Sequence, residues 1–136
     1  MSARQIPWGA APDADAIEAM ARAAVLRLPE PFRQHLGAVV LRVEEFADDA
    51  TLAELGLDDP FLLSGLYRGR PIGLKSVEDW GTLPDMIFLY RRAILDEWME
   101  RDVTLEALVA HVLIHEVGHH FGLSDADMHA LEATVP

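Results

Sequence analysis

The chain has 136 residues, 23 of them acidic against 11 basic for a net charge of −12, and it contains no cysteine. A chain of this length can bury a core without staples, so a single domain over residues 1–136 is expected, with about the first dozen residues flexible. Disulfides and thiolate metal sites are excluded, which leaves His, Asp and Glu to hold any metal, and the acidic surplus disfavours nucleic acid and anionic lipid as partners.

The N-terminal stretch offers only short apolar runs, broken by Asp13, Asp15, Glu18, Arg22 and Arg27. It lacks the unbroken apolar core of a signal peptide or a membrane span, so a cytoplasmic location is expected. Asp15, with Glu18 three residues on, predicts a helix start, and Ile17, Met20, Ala21, Ala24, Val25 and Leu28 then recur at helical spacing until Pro29. Pro31 opens a short helical turn that stops near Gly37, and the β-branched run from Ala38 to Phe46 predicts the first strand, with Arg42 and Glu44 facing water.

Thr51 to Leu55 begins as a capping box and predicts one helical turn. Leu62 to Ile72 places Arg68-Gly69-Arg70-Pro71 between two candidate strands and reads as a hairpin; a turn is expected over Trp80 to Pro84. Asp85 to Tyr90 then reads as a buried strand and Arg92 to Glu100 as a helix. Thr104 caps a helix over about Leu105 to Phe121 that Gly122 closes, and Ser124 with Asp127 starts a last helix running toward Thr134.

The helix from Leu105 is apolar almost all the way round. Ala110, Ile114, Val117 and Phe121 fill one side of the wheel while Leu105, Leu108, Val109 and Val112 fill the other, so it is expected to be buried. His115 and His119 lie four residues apart on it, about 40° around the wheel and about 6 Å along the axis, close enough for two imidazoles to meet at one ion. Glu116, three residues before His119, stands where it can take a proton from a water on that ion. Zinc would bring the water's pKa to about 7, making a nucleophile without serine or cysteine.

A third ligand must come from beyond the helix. Gly122 can turn the chain back at positive φ and bring Asp125 toward the ion; Asp125 is the choice, with Glu132 and Asp127 in reserve. The other role open to Asp125 is that of an acid favoured by the dipole at a helix start. In a chain of this composition the bare five-residue pattern arises by chance about 0.02 times, and requiring the glycine and the aspartate lowers this to roughly one in ten thousand. The extended pattern therefore carries the assignment.

The remaining histidines are read more plainly. His111 extends the series of His115 and His119 and can touch groups around the ligands, His120 points about 100° away from the pair, and His35 and His129 have no motif around them. Met128 is expected to be a core residue of the last helix, and Gly118, costly inside a helix, to mark the close approach of a neighbour. Tyr67 and Tyr90 are weighed as oxyanion partners and expected to pack as aromatics instead.

The run HEVGHHFGLSD resembles the HExxHxxGxxD signature of zincin peptidases, with a trailing Asp where metzincins carry His. LPEPF at Leu28–Phe32, GLYRGRP at Gly65–Pro71 and LPDMIFLYRRAI at Leu83–Ile94 extend the likeness to the small bacterial zincin-like metallopeptidases, from about Ala16 to Thr134. The resemblance implies an α+β, minimal zincin-like fold, helices packed on a small mixed sheet of about four strands. It also implies one Zn2+ held by His115, His119 and Asp125, with Glu116 as general base and a peptide or protein as substrate.

Substrate is expected to add as a strand to an exposed edge, either Asp85–Tyr90 or one arm of the hairpin. Two rival readings stand beside the peptidase. The first is a zinc-containing peptide-binding adaptor without turnover. The other is a metal-dependent endoribonuclease, against which Glu116 and the net charge of −12 both argue.

Overall fold

The computed structural model describes residues 9–69 and 85–133. Its elements in chain order are α1 (Ala14–Leu26), α2 (Phe32–His35), β1 (Val40–Glu44), α3 (Asp49–Glu54), β2 (Gly65–Arg68), β3 (Met86–Tyr90), α4 (Arg91–Met99), α5 (Leu105–Phe121) and α6 (Asp125–Glu132), with short 3-10 turns at Leu36–Ala38 and Pro60–Leu62. The class is α+β, as expected, and the described strands form one mixed sheet of three.

Local chemistry sets most boundaries. Asp13, rather than Asp15, caps α1 by accepting from the Ala16 amide at 2.9 Å, which leaves Asp15 in the first turn, where its charge suits the dipole. In the same way Asp48, not Thr51, caps α3, accepting from the Thr51 amide at 2.8 Å. Thr104 accepts from the Ala107 amide to start α5, and Gly122 closes it at φ +69, letting the Leu123 amide reach back to the Gly118 carbonyl at 2.8 Å. Among the described residues, no atom beyond its own chain neighbours and helix backbone lies within 4 Å of the place where a Gly122 side chain would begin. Gly122→Ala is therefore expected to cost about 1–2 kcal/mol through the left-handed backbone alone, read as a lower midpoint of chemical unfolding.

The sheet runs in the order β1-β3-β2, with β1 parallel to β3 and β2 antiparallel to it. β3 is thus the middle strand, and the expectation that Asp85–Tyr90 serves as an edge is corrected. The reason is visible in MIFLY, an unbroken apolar run with buried surface on both faces. Ile87 and Leu89 join the main core beneath α1 and α5, while Phe88 and Tyr90 join a second cluster with Ala47, Leu52 and Ala93. Burial raises the Tyr90 phenol to about 12, so it stays neutral and packs. Among the described strands the edges are β1 and β2; the hairpin arm expected from Pro71 and the turn expected at Trp80–Pro84 lie outside the described residues, as do residues 1–8 of the expected flexible segment.

Helix α5 lies against α1, α4, α6, β2 and β3. Leu108, Val109, Leu113, Ile114 and Val117 are sealed on its opposite sides, which is what an all-round apolar sequence demands. No helix among the described residues is long and apolar enough to cross a membrane.

Candidate metal centre on the buried helix

His115, Glu116 and His119 occupy the last two turns of α5, where the buried helix reaches an opening. Glu116 is 7% exposed, whereas the His119 side chain is 57% exposed. His119 turns Nδ1 to within 3.3 Å of Glu116 Oε1, an atom that is buried and has no hydrogen-bond partner among the described residues. Desolvation pushes the Glu116 carboxyl up, opposed by the His119 charge and by the Tyr67 main-chain amide. Burial and the neighbouring His111 push the His115 imidazole down, favouring the neutral ring that a metal requires.

Strand β2 supplies the wall facing Glu116. The Tyr90 amide donates to the Ser64 carbonyl at 2.9 Å, so by the alternation of an antiparallel ladder the main-chain groups of Leu66 and Arg68 face β3 and those of Gly65 and Tyr67 face away from it. That is how the Tyr67 amide comes to serve Glu116. The approach is close because Gly65 has no side chain: a Cβ there would lie 2.8 Å from Val112 Cγ1 and 3.3 Å from Glu116 Cγ. A cleft of about 280 Å³ opens between these walls, lined by Leu62 to Gly65, Glu97, His111, Val112, His115 and Glu116.

Helix α6 supplies the other wall. Asp125 is the first residue of α6, and Ser124 caps the helix by accepting from the Asp127 amide. Asp125, Met128, His129 and Glu132 line a second cleft of about 220 Å³ together with His115. Met128 lies directly over Gly118, where an added Cβ would collide with its thioether. The interior glycine of α5 therefore marks a close helix approach, and Met128 is a core residue at 6% exposure, both as expected. His111 Nδ1 lies 2.7 Å from Glu132 Oε1, the carboxylate accepting from the ring N–H, and the His111 and His115 rings meet edge to face with centroids 4.7 Å apart.

His115 thus lines both clefts, Glu116 the first and Asp125 the second, while exposed His119 turns to Glu116. Among the described residues, no three His, Asp or Glu side chains already form a cluster that could hold a metal ion. A roomier apolar cavity of about 380 Å³ lies elsewhere, among Val25, Leu36, Val39, Leu41, Ile87 and Leu113; its polar lining is Arg22 and Arg33, neither a metal ligand nor a nucleophile. Volume therefore does not select the site, and chemistry does.

Residues 36–135 match the family model of zincin-like metallopeptidases. The chain belongs to that family. No curated protein matches it.

Membership implies zinc binding, and this zincin-like chain has donors of the right kind. Two imidazoles at one-turn spacing and a carboxylate past the helix stop make a nitrogen and oxygen set that suits zinc in the absence of cysteine. Glu116 Oε1 is buried without a hydrogen bond, a net cost to the fold that leaves the atom open to a water or a ligand. In donor type the residues fit the ion, although the described side chains are not gathered round one point.

One polar cluster beside this site escaped the sequence reading. His120 and Asp85 are buried at 4% and 8%, with Nδ1 and Oδ2 3.1 Å apart, and the Tyr67 hydroxyl lies 3.4 Å from the same nitrogen. Burial and the Asp85 charge raise the Tyr67 phenol, so it stays protonated, and its hydroxyl serves this cluster. Tyr67 packs half-buried against the main core, with its hydroxyl in this polar cluster. The only signal in the chain was a histidine on an apolar helix and an acid before an apolar strand, a pairing that spacing cannot reveal.

Proposed function

We propose that this chain is a zinc-dependent peptidase in which His115, His119 and Asp125 hold one ion and Glu116 is the general base. The observation that carries the reading is Glu116 Oε1, buried without a hydrogen bond and 3.3 Å from His119 Nδ1, on a helix whose two imidazoles stand at ligand spacing. Zinc bound there would lower the pKa of a water to about 7 and polarise a substrate carbonyl. Glu116 takes the proton from the attacking water and returns it to the leaving amine, its raised pKa suiting a group that must do both. His119, exposed, is free to turn from Glu116 to the ion.

Asp125 is favoured over its reserves by its surroundings. Glu132 is engaged by His111 at 2.7 Å, and Asp127, though as exposed as Asp125, does not line the cleft that Asp125 shares with His115. A peptide would add along the outer side of β2, pairing with the outward main-chain groups of Gly65 and laying a side chain into the cleft beside Leu62, Leu63 and Val112. The test is elemental analysis of purified protein beside a peptide-library digest. One zinc per chain is expected, with cleavage that chelator abolishes and added zinc restores; metal-free protein that takes up no zinc overturns the reading.

A further inference from the structure

We propose that the His111–Glu132 hydrogen bond is a positioning device that sets the rotation of α6 and so aims Asp125 at His115. The inference rests on Asp125 being a zinc ligand. Helix α6 has eight residues, too few to hold a fixed geometry alone, so its placement is imposed by contacts with α5. Its apolar contacts are Met128 on Gly118 and Leu131, buried in the main core, and at the near end the chain turns at Gly122. Met128 and Leu131 turn one face of α6 to the core, but apolar contact has little directional preference and leaves the finer setting of the helix's rotation to a directional bond. The far end is fixed by a directional bond of 2.7 Å between His111 and Glu132.

Seven residues make nearly two turns, so Asp125 and Glu132 lie within about 20° of each other on the wheel, and both open on the cleft that His115 lines. Fixing the direction of Glu132 therefore fixes that of Asp125. The same bond keeps the Glu132 carboxylate engaged with His111, leaving Asp125 as the acid presented to the ion. Neither His111 nor Glu132 touches the ion in this account.

Zinc affinity, measured by competition with a chromophoric chelator, tests the device without relying on turnover. His111→Phe keeps a ring against His115 but removes the donor, and Glu132→Leu removes the acceptor; each is expected to weaken zinc binding about 10–100-fold. His111→Asn, whose amide nitrogen stands near the place of Nδ1, is expected to recover most of the loss. In an Asp125→Ala background His111→Phe should weaken zinc no further, because the bond acts through that carboxylate.

Losses that add in the double variant, or zinc affinity indifferent to both His111→Phe and Glu132→Leu in folded protein, overturn the device while the metal site stands. Glu132→Ala losing zinc as fully as Asp125→Ala, with His111→Phe silent, makes Glu132 a ligand and equally overturns it. Wild-type protein without zinc affinity, or affinity indifferent to Asp125→Ala, removes the functional reading and this inference together.

Discussion

Glu116→Gln is expected to leave zinc content at the wild-type level and to lower peptide cleavage by about 10²–10⁴-fold, the usual contribution of a positioned general base. The amide keeps the size and hydrogen-bonding reach of the carboxylate, so α5 and its contact with Tyr67 should persist. What disappears is an oxygen able to take a proton. His115→Ala should instead lose metal and cleavage together, since among the described residues His115 is the imidazole that lines both clefts. Metal analysis and initial rates on the two proteins separate a ligand from a base. Zinc loss in Glu116→Gln, or full cleavage by it, overturns the base assignment; a chain that binds peptides equally well with either residue at 116 and cleaves none is an adaptor.

The second large effect is one of packing. Gly118→Val is expected to destabilise the fold by about 1–3 kcal/mol, because its Cβ meets the Met128 thioether where α5 and α6 are closest. Valine would favour the helix over glycine in isolation, so propensity predicts the opposite sign and the experiment discriminates between the two effects. Met128→Ala in the same chain should return part of the loss by opening space, a coupling that a mutant cycle measures. Zinc affinity should fall in Gly118→Val and recover with the stability, since Asp125 is carried on the helix that is displaced. Unchanged stability in the single variant would show that the helices are not in contact there.

Much of this molecule is legible in one dimension. The limits of α5 follow from Thr104, which starts the helix by capping it, and from Gly122, which ends it by accepting positive φ. Its burial follows from having no polar side, and the spacing of His115, Glu116 and His119 brings them to one end of it. Where reading and structure part, the cause is competition between local signals or pairing over long range. Asp48 caps instead of Thr51 because the helix begins at Asp49, so the Thr51 amide is itself one of the unpaired first-turn donors that a cap must satisfy.

Strand order is different in kind. Nothing near Asp85–Tyr90 says that β1, some 40 residues earlier, lies on one side and β2 on the other; only the apolar content of both faces hints that the strand is central. The His120–Asp85–Tyr67 cluster and the His111–Glu132 bond are likewise products of packing, His111 and Glu132 standing 21 positions apart and Tyr67 and His120 53.

From the amino-acid order alone came the kinds of group available for metal chemistry, their spacing on a helix, and the points where that helix begins and ends, because a helix's geometry depends on neighbours within a turn or two. Tertiary structure decided which carboxylate shares a cleft with His115, which is already engaged elsewhere, and which strand faces Glu116. Those outcomes depend on how helices and strands seat against one another, and that seating is settled by side-chain shape across the core rather than by any local run of residues.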